Sequence, residues 1–214
     1  MMDNGDMDAP LDSDRTGLPD CSTPDIAAIV LAAGSGTRFD PSGTRHKLLE
    51  RLPDGRPIIR ATCETMLAVL DSLTVVCHHR TDEIKEALSG LDVRILHCED
   101  APLGMGASIR CGIRSRPSAK GWLIMLGDLP YVQAETVSRV RGALNNGALI
   151  ARPFFKGTPG HPVGFGSALT STLSNCDPDV GLKRVIAQHK QQVLRIDVDD
   201  AGCMRDVDRP ADIG

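Results

Sequence analysis

An uninterrupted apolar run that ends in a glycine-containing loop constrains this 214-residue chain more than any other feature. Residues 26–33 read Ile-Ala-Ala-Ile-Val-Leu-Ala-Ala and lack the polar alternation of a half-solvated strand. They therefore predict a parallel strand buried on both faces. Residues 34–38 follow as Gly-Ser-Gly-Thr-Arg. Glycines at a strand end let the backbone approach a ligand, and successive free N–H groups bind anions, so the junction predicts a nucleotide site.

Basic residues after the loop fit the same interpretation, because Arg38, Arg45 and Lys47 can neutralise phosphates. Two common phosphate loops are excluded. The dinucleotide fingerprint G-x-G-x-x-G needs glycine where Phe39 stands, and the P-loop pattern is not matched around Lys47. The alternative interpretation is a tight turn that leads into a helix.

Composition narrows the possible partners. The chain has 24 basic and 28 acidic residues and a formal net charge of −4, so it lacks the basic footprint of a nucleic-acid-binding protein. One Trp, one Tyr and four Phe are too few for a base-stacking platform. No apolar run approaches the roughly 20 residues needed to cross a bilayer. We expect neither nucleic acid nor membrane as a partner.

The beginning of the chain and the cysteines suggest a cytoplasmic protein. Residues 1–24 are acidic and lack the basic start and apolar core of a secretory signal, so we interpret them as a disordered leader before one domain over residues 25–214. The seven cysteines form no C-x-x-C pair. Such a scattered, odd-numbered set predicts reduced thiols rather than a structural zinc site.

Helices and strands alternate after the first loop. Helices are predicted over 57–70, 82–88, 105–114 and 133–144, and strands over 73–77, 93–96, 121–126 and 148–151. This alternation predicts an α/β fold with a mostly parallel sheet covered by helices on both faces. The tail is less regular, with a Gly/Pro-rich stretch at 157–166, helices near 167–173 and 180–189, and a strand at 192–198.

Aspartates lie where such a fold binds ligands, beyond the carboxyl ends of strands. Asp128 follows a buried strand, and an ionised carboxylate there is costly to desolvate unless it is paired or bound to a cation. Asp206 and Asp208 lie two residues apart and face the same side of an extended segment. Mg²⁺ binds one or two carboxylates together with substrate phosphates. The alternative for each aspartate is a turn or a helix cap.

Six segments, kept in order over about residues 25–213, together resemble the MobA-like nucleotidyltransferases. They are 31–38 (Leu-Ala-Ala-Gly-Ser-Gly-Thr-Arg), 47–49 (Lys-Leu-Leu), 104–108 (Gly-Met-Gly-Ala-Ser), 127–130 (Gly-Asp-Leu-Pro), 160–163 (Gly-His-Pro-Val) and 206–210 (Asp-Val-Asp-Arg-Pro). Ala-Ala-Gly in place of Ala-Gly-Gly, together with Gly-His-Pro-Val, is most similar to the molybdenum cofactor cytidylyltransferases.

This resemblance implies a Rossmann-like, glycosyltransferase-A type fold. It also implies Mg²⁺-dependent transfer of a nucleotidyl group from CTP or GTP to a phosphate, with release of pyrophosphate. For the cytidylyl branch the transferred group is CMP and the acceptor is the phosphate of molybdopterin. A molybdoenzyme or its chaperone is then a further candidate partner.

The resemblance also assigns roles to residues. The nucleotide-binding residues are Leu31, Ala32, Ala33, Gly34, Ser35, Gly36, Thr37, Arg38, Lys47, Gly104, Gly106 and Ser108. Arg38, Lys47 and Asp128 are catalytic, Asp128 and Asp208 hold Mg²⁺, and Gly160, His161 and Pro162 bind the acceptor. From the residues alone, the segment 104–108 is equally interpreted as a glycine-rich helix start, and His161 as a buried turn residue.

The chain departs from the family pattern directly after the loop arginine. Asp40 stands where relatives have glycine, and residues 39–46 lengthen the segment before Lys47. Arg45 is therefore an alternative phosphate ligand that can replace Lys47 in part.

Three other functions compete with this interpretation. The first keeps the fold and transfers a nucleotide to a sugar phosphate or another phosphorylated alcohol. The second is a MobA-like NAD(P)H-dependent reductase, against which the missing dinucleotide fingerprint counts. The third is a noncatalytic carrier of a pterin cofactor, which would remain functional after Asp128→Ala.

Overall fold

The computed structural model describes residues 26–214, so the predicted leader over residues 1–24 lies outside the described residues. Strands β1 to β8 are Ala27–Ala32, Leu73–Cys77, Val93–His97, Gly121–Leu126, Ile150–Phe155, Thr158–Pro159, Val163–Gly166 and Val193–Asp197. Helices α1 to α6 are Ile58–Leu67, Thr81–Ala87, Met105–Arg114, Ala134–Asn145, Thr170–Ser174 and Leu182–Gln188. No helix in this part of the chain has the length and apolar character needed to cross a membrane.

The eight strands form one mixed sheet in the order β3-β2-β1-β4-β7-β5-β6, with β8 also paired to β5. Strands β1 to β4 pair in parallel with one another, and β8 is parallel to β5. Strand β7 runs antiparallel to both β4 and β5. The predicted α/β class with a mostly parallel sheet is confirmed.

Strand β1 lies at the centre of the core because both of its faces are apolar. Ala28 and Val30 contribute to one apolar cluster, together with residues of α1, α2 and α4. Ala27 and Ile29 contribute to a second cluster, together with residues of α3, α5 and α6. Helices therefore cover both faces of the sheet, as the unbroken apolar pattern predicts.

The main difference from the sequence-based expectation is at 157–166, where the structure has strands β6 and β7. Glycine and proline are depleted in strands, so the stretch resembles a loop in sequence. In the structure, a Cβ added at Gly164 would lie 3.0 Å from Leu144 and Val140 of α4. The glycine is therefore needed where α4 packs closely on the sheet.

The strand directions place the candidate site. Strand β5 is parallel to β4, since both pair antiparallel with the strand β7 between them. The carboxyl ends of β1, β4 and β5 therefore lie at one edge of the sheet, and β7 begins at that edge. The loop after β1, the turn after β4 and the segment 160–162 are brought to the same side of the molecule.

Candidate functional site

Gly127 joins the carboxyl ends of β1 and β4. Its N–H donates to the Leu31 carbonyl at 2.9 Å. A Cβ at this position would lie 3.0 Å from the Leu31 carbonyl oxygen and 3.0 Å from Ile59 Cδ1, so a larger residue would push the two strand ends apart. The close approach brings Asp128, the next residue, against the loop that follows β1.

The segment 206–208 is anchored beside Asp128 by its middle residue. Val207 is fully buried, and its N–H donates to the Asp128 carbonyl at 2.9 Å. One carboxylate oxygen from each of Asp128, Asp206 and Asp208 lies within 4.8 Å of the others. The structure therefore brings together the two predicted metal ligands and adds Asp206 as a third candidate.

This carboxylate cluster fits a hard divalent cation. All three donors are oxygens, which Mg²⁺ prefers. Asp128 Oδ1 is buried and has no hydrogen-bond partner among residues 26–214, an expensive arrangement unless another group binds it. Asp206 is exposed overall, but desolvation of its carboxyl and the negative charges of Asp208 and Asp128 raise its pKa. A cation would relieve this repulsion.

Lys47 and Arg38 extend from the nucleotide loop to the carboxylates. Lys47 Nζ donates to Asp128 Oδ2 at 2.6 Å and to Asp208 Oδ1 at 3.2 Å. Arg38 Nη1 donates to Asp208 Oδ2 at 2.5 Å. The Lys47 side chain is only 13% exposed and that of Asp128 17%, whereas that of Arg38 is 79% exposed. Two cations of the loop thus contact the acidic cluster directly, one of them largely screened from water.

The lengthened segment 39–46 is a compact, internally bonded loop. The Asp40 carboxylate accepts hydrogen bonds from the Ser42 hydroxyl and N–H, from the Thr44 hydroxyl and from the Arg45 N–H, at 2.6–2.9 Å. These bonds, first of all that of the Ser42 hydroxyl, hold the pKa of Asp40 well below its usual range. Phe39 is buried and fixes the start of the loop in the core. The hydrogen bonds of Asp40 therefore stabilise the conformation of the lengthened segment that precedes Lys47.

The end of the loop carries a buried histidine and a paired arginine. Neither ring nitrogen of His46 has a partner in the described part of the chain, and burial, followed by the positive charge of Arg80, lowers its pKa. Arg45 donates to Glu50 at 2.9 and 2.5 Å and lies 5.3 Å above the Phe39 ring. Arg45 does not line the cavity described below, so the structure does not place it to replace Lys47.

A cavity of about 470 Å³ lies between the loop after β1, the start of α3 and the carboxylates. Its lining includes Leu31, Ala32, Ala33, Gly34, Ser35, Gly36, Thr37, Arg38, Lys47, Gly104, Ser108, Asp128, Asp206 and Asp208. These are all the predicted nucleotide and metal residues except Gly106, together with Asp206. The lining also contains residues that the sequence analysis did not select, namely Phe39, Leu48, His79, Ala101, Pro102, Met105 and Leu126.

Gly106 packs against protein rather than facing the cavity. Its N–H donates to the Pro178 carbonyl at 2.9 Å, and a Cβ there would lie 1.9 Å from the Asp177 carbonyl oxygen. Gly104, which has a φ of +128°, would bring a Cβ to 2.3 Å from the Pro178 carbonyl oxygen. Both glycines let the first turn of α3 approach the segment 177–178. Gly104 also lines the cavity. At Gly104, therefore, the interpretation as a nucleotide-binding residue and the interpretation as a glycine-rich helix start are compatible.

The predicted acceptor segment lies beside the site but does not line this cavity. Gly160 would bring a Cβ to 2.4 Å from Cys203 Sγ, and the His161 N–H donates to the Cys203 carbonyl at 2.8 Å. The peptide bond between His161 and Pro162 is cis. Burial, followed by the positive charge of Arg152, lowers the pKa of His161 to about 4, so its ring is neutral at pH 7.

Sequence comparison identifies relatives of this chain. The sequence model of the MobA-like NTP transferase domain family matches residues 28–193. The bifunctional protein GlmU of Mycobacterium ulcerans is 34% identical over 124 residues, which cover 53% of this chain and 24% of that protein. GlmU of Sphingopyxis alaskensis is 32% identical over 157 residues, which cover 68% of this chain and 32% of that protein. The chain thus spans about a quarter to a third of the length of these curated relatives.

Solved structures share the fold over nearly the whole chain. A nucleotidyl transferase from Methanothermobacter thermautotroptrophicus is 26% identical with a TM-score of 0.75, covering 87% of this chain and 93% of that one. An Rv0371c homolog from Mycobacterium sp. strain JC1 is 30% identical with a TM-score of 0.75, covering 88% and 92%. Rv0371c from Mycobacterium tuberculosis H37Rv, at 24% identity and a TM-score of 0.75, covers 89% and 96%. The predicted Rossmann-like fold is confirmed.

Proposed function

The chain belongs to the MobA-like NTP transferase family, and we propose that it transfers CMP from CTP to the phosphate of molybdopterin, with release of pyrophosphate. The observation that carries the proposal is the position of Lys47. Its ammonium lies between Asp128 and Asp208, at the cavity formed by the loop after β1. A site that combines a phosphate-binding loop, a lysine and convergent carboxylates is suited to a metal-bound triphosphate.

The proposed cofactor is Mg²⁺, held by Asp128 and Asp208 with Asp206 as a further ligand. When bound, the ion supplies Lewis-acid activation and orients the phosphates, effects worth several kcal/mol of barrier. The buried, unpartnered Oδ1 of Asp128 supports this assignment. Other hard divalent cations present the same chemistry to this oxygen-only set.

The protein residues position the reactants and stabilise charge. The backbone N–H groups after β1 bind the triphosphate, and Arg38 and Lys47 exchange their carboxylate partners for phosphate oxygens. An oxygen of the acceptor phosphate attacks the α-phosphorus, and the bond from that phosphorus to the bridging oxygen of the β-phosphate breaks. Pyrophosphate leaves with the electron pair, and the two cations offset its charge. No side-chain nucleophile is required.

The finer assignments rest on the resemblance of short segments. Ala32 and Ala33, followed by Gly34, support CTP over GTP. Gly160, His161 and Pro162 support a molybdopterin acceptor. We place the reaction in the cytoplasm, in one domain over residues 25–214, and a molybdoenzyme or its chaperone would receive the product.

The decisive experiment measures pyrophosphate release with CTP, GTP, ATP and UTP, each with and without molybdopterin and Mg²⁺. We expect release only with CTP, molybdopterin and the metal together. If GTP is the only one of the four nucleotides that supports release, the reaction is guanylyl transfer instead. Release with a sugar phosphate or another phosphorylated alcohol, but not with molybdopterin, would replace the proposed acceptor. Oxidation of NAD(P)H without added nucleoside triphosphate would favour the reductase, and full function of Asp128→Ala would favour a noncatalytic carrier.

A further inference from the structure

Arg152 is a half-buried cation of the central sheet. It lies in β5, and its Nε donates to the Gly160 carbonyl at 2.9 Å. Burial lowers the pKa of its guanidinium, and no acidic side chain in the part of the chain described here forms an ion pair with it. Arginine nevertheless remains charged at neutral pH. A desolvated guanidinium that donates to a single carbonyl retains donors for an anion.

The strand register places Arg152 beside the candidate acceptor segment. Ala151 of β5 pairs with Gly164 of β7, and Val163 of β7 pairs with Ile124 of β4. Residues 160–162, which precede β7, therefore lie between β5 and the end of β4, two residues before Asp128.

Arg152 also projects on the same side of the sheet as the nucleotide cavity. Side chains alternate along a strand, so Arg152 shares its face with Ile150. Ile150 belongs to the apolar cluster that packs against α3, the helix that contributes Ser108 to the cavity. The guanidinium and the cavity therefore lie on the same face of the sheet, and Arg152 follows Ala151, which is level with Leu123 of β4 through Gly164 of β7.

We propose that Arg152 binds the phosphate of the acceptor and holds its attacking oxygen toward the nucleotide. A guanidinium donates two parallel hydrogen bonds to a phosphate, which fixes orientation as well as charge. This assignment rests on the proposed nucleotidyl transfer and adds a binding residue to it. It requires only that the acceptor is a phosphomonoester, whether molybdopterin or another phosphorylated alcohol.

His161 contributes to the shape of this proposed acceptor-phosphate site and not to its charge. Its imidazole is neutral at pH 7, and its backbone is fixed by the Cys203 carbonyl. Gly160 packs against Cys203 and presents its carbonyl to Arg152. The segment therefore orients the guanidinium, and the positive charge of the subsite comes from Arg152.

Binding of a simple phosphomonoester tests the assignment without any turnover. Glycerol 3-phosphate is titrated by ³¹P NMR into Lys47→Ala protein, in which the lysine of the nucleotide cavity no longer offers a competing phosphate ligand. Adding Arg152→Met is expected to weaken binding by at least about tenfold, and Arg152→Lys by less, because the charge remains. Arg195→Met is the matched control, since Arg195 lies opposite Arg152 on β8 and its guanidinium is paired with Asp197.

Unchanged binding by the Arg152→Met protein, or no binding by the Lys47→Ala protein, would overturn the assignment. Kinetics with CTP and molybdopterin distinguish phosphate binding by Arg152 from a purely structural role, in which Arg152 only holds the Gly160 carbonyl. We expect Arg152→Met to raise the KM for the acceptor about tenfold while the KM for CTP stays unchanged. Should the unmodified protein release no pyrophosphate from any nucleotide, the proposed reaction fails, and the titration still decides whether Arg152 binds phosphate. Arg152→Gln replaces Arg152→Met if the latter does not fold.

Discussion

The ammonium of Lys47 lies 2.6 Å from Oδ2 of Asp128, although the two residues are 81 positions apart in the chain. The lysine follows the lengthened loop after β1, and the aspartate follows β4. Both side chains are mostly screened from water, so Lys47 compensates the charge of Asp128, while Asp128 and Asp208 together compensate that of Lys47. The pair links the part of the site that would bind phosphates to the part that would bind a metal.

Loss of the Lys47 ammonium should impair nucleotide use. Lys47→Ala is expected to raise the apparent KM for the nucleotide by about tenfold or more and to slow turnover, since a charged hydrogen-bond donor to phosphate is lost. Steady-state pyrophosphate release measures both effects. Arg45→Ala serves as the control and should change either constant by at most about twofold, because Arg45 is paired with Glu50 outside the cavity. Equal rates for Lys47→Ala and the unmodified protein at subsaturating nucleotide would contradict the assignment.

Asp128→Asn should abolish metal-dependent activity while it preserves side-chain size. The substitution removes one negative charge and one ligand oxygen from the cluster, and we expect a loss of at least about a hundredfold in turnover and weaker divalent-cation binding. Electron paramagnetic resonance of Mn²⁺ reports binding independently of activity. Asp92→Asn is the control, since Asp92 is exposed and precedes β3, at the amino ends of the parallel strands and away from the site. Undiminished Mn²⁺ binding in Asp128→Asn would remove this residue from the metal site.

The sequence predicts the central strands well because β1 and β4 are unbroken apolar runs, and it predicts α3 because this segment follows the turn 102–104 and carries apolar residues at helical spacing. The predicted bounds of α3 and β4 agree with the structure at both ends. The sequence does not predict strand β7, because residues 163–166 read Val-Gly-Phe-Gly and glycine is depleted in strands. Gly164 is required here because α4 packs closely on this strand. That requirement arises from a distant helix and leaves no periodic signal in the strand itself.

The sequence predicts those site residues whose side-chain chemistry and position relative to a strand indicate the same role. Asp128 follows a buried strand, and Asp208 shares its face with Asp206, so their convergence could be anticipated. The contribution of His79 could not, because only the tertiary structure brings the end of β2 to the cavity. Gly106 shows a different limit, since a glycine required by a neighbouring chain segment looks the same in sequence as one required by a ligand.

Asp200 should contribute strongly to stability although it is not part of the cavity. Its buried carboxylate accepts hydrogen bonds from the Gln133 N–H at 3.0 Å, the Thr136 hydroxyl at 2.7 Å and the Gly202 N–H at 2.9 Å. It thereby ties the start of α4 to the segment that leads to the site aspartates. Asp200→Ala leaves buried donors unpaired and should lower the free energy of unfolding by about 2–4 kcal/mol. Urea denaturation measures the loss, and Asp199→Ala, at an exposed neighbouring position, should change it by less than about 0.5 kcal/mol.

Two helical glycines should respond in opposite directions to the same substitution. In Gly142→Ala, the added Cβ meets no atom within 4 Å, so the reduced backbone freedom of the unfolded chain should stabilise the protein by about 0.5–1 kcal/mol. In Gly106→Ala, the Cβ would lie 1.9 Å from the Asp177 carbonyl oxygen, and overpacking of this kind destabilises by about 1–3 kcal/mol. The displaced first turn of α3 also carries Met105 and Ser108 of the cavity lining, so the KM for the nucleotide should rise in Gly106→Ala alone. Urea denaturation and steady-state kinetics check the two effects, and stabilisation by both substitutions would show that α3 does not need this close approach to the segment 177–178.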